Sequence, residues 1–336
     1  MNKEEAKKLI DTNYQGIHSS KNVTLNIDDG VPFIQVEGFS DMSFIQHGFT
    51  TKFGGVSKGI YESLNMGLHL DDEKEDVMEN YQRLGATMGF DYTRMSAPNQ
   101  VHKSNILVVE EKDAGDGISR NLSHFEIDAQ ITNVKNLPLI VYTADCVPIL
   151  LADPVSRVIG TVHAGWRGTV DAIAAKIVEK MSEVYGCLPE NIQAIIGPSI
   201  GPENYEVDET VIKAMVECPY LDTTEDNVTF EPLQNDDFKY IIHSGSVYRE
   251  GMPAEYKGIT LTRLGVPYEI FRTVKIRDRY MLNLWNLNEL ILVNAGLKSR
   301  NIYQTKLCTM KYHDIFFSHR YTNGRRGLNA GIIVIK

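Results

Sequence analysis

The chain is short of the residues that several chemistries require. Its 336 residues hold four cysteines, at 146, 187, 218 and 308, with no CxxC pair and no dense framework. That excludes a disulfide-stapled scaffold and leaves any conspicuous cysteine as a ligand, a nucleophile or core filler. The nine histidines include no HxH pair, and a multicopper oxidase needs paired histidines for its trinuclear centre beside a blue-copper Cys and His set, so that chemistry is disfavoured. No apolar run approaches the roughly 20 residues that span a bilayer. The opening MNKEEAKKLIDTNYQG has acids where a secretory signal needs an apolar core, so a cytoplasmic protein without a membrane partner is expected. Positive charge is also in deficit: 34 Lys and Arg against 44 Asp and Glu leave a net charge of −10. Such a surface offers no overall attraction to nucleic acid and favours a small-molecule substrate.

Hydrophobic residues, at 43% of the chain, suffice for a proper core. Residues 1–30 read as a polar leader with a short helix over 3–10. From Val31 to 336 the pattern is that of one α/β domain without repeat or low-complexity linker. PFIQVEGF and SFIQHGFTT alternate as strands, and DEKEDVMENYQRLGATMGF reads as a helix with Val77, Tyr81, Leu84 and Met88 on one face, stopped by Gly89. Further strands are expected near 95–97, 106–111, 129–132, 138–143, 147–152, 157–163, 192–196, 301–305 and 331–335. Helices are expected over 169–185, 208–217 and 284–295. The acidic stretch 219–238 reads as loop-rich, and the segment of about 219–280 as a lid or a surface excursion.

The stretch TADCVPILLADPVSRVIGTVHAGWRG, residues 143–168, sets Cys146 and His163 at the outer ends of two apolar runs joined by the turn DPVS. With Pro154 and Val155 as a two-residue loop, Cys146 pairs directly with His163; a loop one or two residues longer shifts the partner but keeps the side chains neighbours. His102, in APNQVHKSN, is a third candidate, since two neutral imidazoles and a thiolate suit Zn²⁺ with a fourth position left for water or substrate. A lone histidine at a strand end is more often a hydrogen-bonded structural residue.

NQVH, TADCVPILL, HAGWRG, GPSIGPENYEV and CTMKYHDIFFSHR, in this order, with GFTTKFGGVSKGIYESLNMG before them, resemble the laccase-domain family. It is also called the YfiH or YlmD type, or the peptidoglycan editing factor family. The resemblance runs from about residue 47 to the C-terminus. It implies an α/β sandwich with mixed β-sheets flanked by helices, and one Zn²⁺ on His102, Cys146 and His163, a site that Cu²⁺ can also occupy. It implies phosphorolysis of purine nucleosides (adenosine, inosine, guanosine, methylthioadenosine) with phosphate, and deamination of adenosine. A muropeptide-editing hydrolase and a metal-free hydrolase with Cys146 as nucleophile and His163 as base remain alternatives.

For those reactions, Asp145 is the carboxyl nearest to Cys146 in sequence, either an acid for the leaving group or a turn residue. Asp128 is a candidate for orienting a ligand histidine. Phosphate needs cations: Arg320, with Arg325 and Arg326, lies in the late motifs, and Arg167 starts the helix expected over 169–185, a favourable anion position. Lys52 stands where relatives commonly carry arginine, keeping charge but losing bidentate geometry. Asn65 offers an amide to a base or ribose, or else serves the turn before Gly67. His47, His69, His313 and His319 are left without assigned roles, and Cys187, Cys218 and Cys308 read mainly as packing residues.

Overall fold

In a computed structural model of the chain, the described residues are 2–14, 23–27, 30–221, 228–230, 240–243, 246–249, 259–263, 266–273 and 279–336. The strand Val147–Asp153 is buried at every position, which its unbroken apolar run VPILLA requires, because a strand covered on both faces has no solvent side to alternate toward. Val147, Ile149 and Leu151 pack with Ile173, Ile177, Val178 and Met181 of the helix Ile173–Tyr185. Leu150 and Ala152 face the other way, onto Leu139, Val141, Ile333 and Ile335. Those four belong to a second sheet, whose opposite face, Ile140, Tyr142, Ala330 and Ile332, is covered by Val77, Tyr81, Leu84 and Met88 of the helix Lys74–Met88. The result is four layers, helix on sheet on sheet on helix.

The first sheet runs Val23–Asn26, Phe33–Val36, Ile45–Thr50, Asn329–Ile335, Leu139–Thr143, all antiparallel. The other sheet of the sandwich runs Ile302–Gln304, Gln193–Ile196, Val147–Asp153, Val158–Ala164, Ala129–Thr132, Ile106–Val108. It is mixed, with its two outermost pairings parallel and the rest antiparallel. The expected α/β sandwich with mixed sheets and flanking helices is therefore the observed one.

Five points decide between the expectations or go against them. The hairpin loop has four residues, the longest of the lengths left open: Asp153 pairs with Val158 and Pro148 with His163. Asp153 Oδ1 accepts from the backbone N–H of Val155 (2.8 Å) and Ser156 (3.1 Å), stabilising the longer turn, and Arg157 closes it at φ 53°. The helix expected over 169–185 is two helices, Trp166–Val170 and Ile173–Tyr185, broken where Ala172 turns left-handed at φ 56°. Arg167 thus sits in a separate helix of five residues.

The residues expected as a leader are built into the body. The helix Lys3–Tyr14 buries Ala6 and Ile10, and Val23–Asn26 forms the edge of the first sheet with Val23 and Leu25 inside. The apolar residues are too sparse among polar ones to show this in a linear reading. In 219–280, the described residues are largely strands: Val228–Phe230, Ile259–Arg263 and Val266–Thr273 join Arg279–Leu282 and Glu206–Asp208 in a third, five-stranded sheet, and Tyr240–His243 pairs with Ser246–Arg249. The remainder of that stretch lies outside the described residues. Near 95–97 there is one bridge, Ser96 to Leu139, in place of a strand.

Candidate metal centre

Four strand ends meet at one edge of the mixed sheet. Cys146 immediately precedes Val147–Asp153, His163 lies near the end of Val158–Ala164, Asp128 precedes Ala129–Thr132, and His102 sits in the loop leading to Ile106–Val108. The antiparallel pairing of Ala129 with Val162 carries on to Asp128 and His163, whose backbones bond at 2.7 Å (His163 N–H to Asp128 O). The two-residue change of register in the hairpin leaves the site intact, because a shift by an even number keeps side chains on the same face. Cys146 becomes a diagonal neighbour of His163 in place of a direct one.

Asp128 organises the centre. Its Oδ1 contacts His163 Nδ1 at 2.8 Å and accepts the His102 backbone N–H at 2.9 Å, while its Oδ2 accepts from Val101 (3.2 Å) and Lys103 (2.9 Å). One carboxylate therefore fixes the orientation of one histidine ring and the backbone of the other, which takes φ 63°. Burial works against this carboxylate, but the bonds to His163, Lys103 and Val101 outweigh it and hold its pKa below the usual value. Gln100 completes the NQVH loop by bonding the Tyr142 backbone twice, as acceptor from its N–H at 2.7 Å and as donor to its carbonyl at 2.8 Å.

With Nδ1 of His163 committed to Asp128, its Nε2 is free to turn toward Cys146 and His102. Ligand atoms of the three residues lie within 4.8 Å of one another, and Cys146 Sγ is 3.8 Å from His102 Nε2. A tetrahedral zinc with Zn–S near 2.3 Å and Zn–N near 2.0 Å sets its donors about 3.5 Å apart, so the donor set fits such an ion. Burial alone would raise the Cys146 thiol; the charge of His163 and the hydrogen bonds from both histidines outweigh it and bring it down to about 6. A thiol poised to ionise is what metal binding needs, since the ligand is the thiolate.

The three donors line a cavity of about 470 Å³. Its walls carry His69, Tyr142, Trp166, Tyr205 and His319, flat faces for an aromatic ligand, and Arg167, Arg320 and Arg326. Asp145 is on the wall as well, at φ 90°, its Oδ1 accepting from Thr309 Oγ1 and its Oδ2 from the Arg320 N–H, both at 2.6 Å. Adjacent strand residues face opposite ways, and it is this left-handed turn that brings both Asp145 and Cys146 to the cavity. Arg320 donates through Nη1 and Nη2 to Glu206 O, and the Arg167 guanidinium lies 4.3 Å from the Trp166 ring centroid.

Two residues expected to touch substrate are elsewhere. Lys52 lines an adjoining cavity of about 300 Å³ and donates to His313 O at 3.2 Å. Asn65 is buried and fully engaged: Nδ2 donates to Asp72 at 2.8 Å, and Oδ1 accepts from Gly67 and Leu328. His47 is structural, its Nε2 accepting from Val36 N–H, with burial pushing its pKa down to about 3. Cys308 is buried and accepts backbone N–H bonds from Gly201 and Lys311. Tyr205, Trp166 and Gln100 escaped the sequence reading as individuals, although each stands inside a motif already singled out.

The chain matches the family described as multi-copper polyphenol oxidoreductase laccase over residues 46–240 and 262–336. It is 32% identical over 290 residues to purine nucleoside phosphorylase YlmD of Bacillus subtilis, covering 86% of this chain and 88% of that one. It is 27% identical over 285 residues to adenosine deaminase RL5 of an unknown prokaryotic organism, covering 84% and 90%. Among solved structures, hypothetical protein YfiH of Bacillus licheniformis superposes with a TM-score of 0.72 at 29% identity, covering 93% of this chain and 99% of that one. The matched residues include all three metal donors, Asp128 and most strands of the sandwich, and on that ground the chain belongs to the multi-copper polyphenol oxidoreductase laccase family, the YfiH type.

Proposed function

We propose that the chain is a zinc-dependent purine nucleoside enzyme. It would phosphorolyse adenosine, inosine, guanosine and methylthioadenosine to the free base and ribose or methylthioribose 1-phosphate, and deaminate adenosine to inosine. The observation that carries this reading is the convergence of His102, Cys146 and His163 in a cavity that also offers aromatic faces and arginines. A purine needs the first and phosphate the second. The names of the relatives, purine nucleoside phosphorylase and adenosine deaminase, support the same class.

Zinc, when bound, would polarise an oxygen ligand and lower the pKa of a bound water toward neutrality. The residues of the chain supply the rest. Asp128 fixes His163 and the His102 backbone, so the donors need little rearrangement. Tyr205 and Trp166 offer faces for the base. Asp145, pinned by Thr309 and the Arg320 backbone, ties the motif CTMKYHDIFFSHR to Cys146 and is the proposed proton carrier on the wall. Copper in the same donor set is the alternative metal.

Product analysis tests the reading: metal-quantified protein is incubated with adenosine, with and without phosphate, and the products are separated by chromatography. Adenine and ribose 1-phosphate only with phosphate, inosine without it, and about one zinc per chain are expected. Absence of turnover on every purine nucleoside would overturn the reading and favour a muropeptide substrate. Full turnover by metal-free protein would favour Cys146 as a nucleophile.

A further inference from the structure

Of the three arginines on the cavity wall, Arg320 is held by the Glu206 carbonyl and Arg167 is stacked on Trp166. Arg326 differs. Among the described residues it has no hydrogen bond and no ion pair, and its Nε is sealed from solvent without a partner. A guanidinium N–H buried without an acceptor is costly. Asp145, the carboxylate among the cavity-lining residues, forms neither a hydrogen bond nor an ion pair with it; its oxygens accept from Thr309 and the Arg320 N–H instead.

The position of Arg326 is fixed from behind. The next residues, Gly327 and Leu328, turn into the strand Asn329–Ile335; Asn65 Oδ1 accepts the Leu328 N–H at 2.9 Å, and Gly327 has no room for a side chain, since its Cβ would fall 2.8 Å from the Phe317 ring and 3.0 Å from Asn65 Oδ1. Arg326 also lines both the metal cavity and the adjoining one that holds Lys52. A fork of donors stands beside the metal donors with nothing to bind.

We propose that Arg326 is the phosphate-binding residue of this site, taking the oxyanion of inorganic phosphate in its guanidinium fork and thereby setting the balance between phosphorolysis at C1′ and deamination at C6. The inference rests on the purine nucleoside reading above. In phosphorolysis a phosphate oxygen forms a bond to C1′ as the C1′–N9 bond breaks. Its electron pair leaves on the base, which takes a proton from the medium, and the sugar leaves as ribose 1-phosphate. No oxidant or reductant is involved. A planar fork suits phosphate bidentately, and its charge draws phosphate to the position from which it attacks C1′. Asn65 is then a positioning residue, acting through the backbone next to Arg326.

The test uses the metal-loaded full chain, with inosine and adenosine as nucleosides and inorganic phosphate varied. For Arg326→Gln the KM for phosphate rises about tenfold to a hundredfold, as for a lost hydrogen bond to a charged group. The KM for inosine moves far less, and phosphorolysis of adenosine falls much further than its deamination. Arg326→Lys restores phosphate saturation part-way. Calorimetric titration with inorganic phosphate alone shows binding to the wild type that Arg326→Gln loses.

An unchanged phosphate KM, or equal losses in phosphate and nucleoside saturation, would overturn the proposal in favour of a structural arginine. Turnover of adenosine 5′-monophosphate whose KM depends on Arg326 while that of inorganic phosphate does not would reassign the fork to a nucleotide phosphate and overturn it too. If the wild type turns over no nucleoside, the functional reading fails by itself and the phosphate titration alone decides: binding lost in Arg326→Gln upholds the anion site, and no binding ends it.

Discussion

At the scale of residues, the centre depends on a carboxylate that is not itself one of the three converging donors. Asp128 reaches His163 through its side chain and residues 101–103 through three backbone N–H groups. Asp128→Ala should therefore lower metal affinity by about tenfold to a hundredfold, with the protein still folded, as read by metal-competition titration. Cys146→Ala and His163→Ala should each lose the metal and the nucleoside activity together. In metal-free protein, a Cys146 thiol near 6 and a His163 imidazolium persisting to about 9 form an ion pair.

The depressed thiol contributes stability that is lost as pH falls through about 6, and the raised imidazole contributes stability that is lost as pH rises through about 9, so the pair is intact between those limits. Iodoacetamide at pH 7 should accordingly label Cys146 first in metal-free protein. Burial pushes Cys187 and Cys218 up to about 12 and raises Cys308 as well. Mass spectrometry should find those three unlabelled and Cys146 protected by bound metal. The donors were legible because motif and residue type coincide in His102, Cys146 and His163. The roles of Lys52 and Asn65 were not, because which atoms an amide or ammonium satisfies is decided by neighbours that lie far away in sequence, His313 and Leu328 among them.

At the scale of elements, the hairpin was legible and its register was not. The apolar runs on either side of DPVS announce two strands, but the same letters close either a two-residue or a four-residue loop. Only Asp153 bonding forward to Val155 and Ser156 selects the longer one. The helix after HAGWRG was overextended for a comparable reason: its apolar periodicity passes unbroken through Ala172, whose left-handed backbone leaves no mark in the residue types.

HAGWRG also contains a glycine with a specific task. A Cβ on Gly165 would stand 3.0 Å from Cys146 Sγ and 3.0 Å from His102 Cδ2, while its φ of −68° is open to any residue. Gly165→Ala should then leave the thermal midpoint nearly unchanged yet weaken metal binding by roughly tenfold, as for other disturbed ligand surroundings. A variant that binds metal as the wild type does would show that the ligands can yield to the extra methyl.

At the scale of the molecule, the sandwich is closed by its last residues. Asn329–Ile335 pairs on one side with Ile45–Thr50 and on the other with Leu139–Thr143. The sequence shows an apolar run near the C-terminus but nothing of its central place, because strand order depends on partners some 190 and 290 residues away, the kind of nonlocal pairing that local pattern does not encode. The buried Ala6, Ile10, Val23 and Leu25 were illegible for the same reason: their apolar partners come from distant parts of the chain. Leu139–Thr143 runs directly into Asp145 and Cys146, so the pairing with the C-terminal strand supports the metal cysteine from behind.

Removing residues 329–336 should therefore leave a chain with neither cooperative unfolding in denaturant nor metal binding. Ile333→Ala, which empties space between the sheets without breaking a pairing, should keep both while losing about 2–5 kcal/mol of stability. If the truncated chain still bound metal, the strand ends around Cys146 would have to be held by the mixed sheet alone, and the first sheet would be a cover rather than a support for the centre.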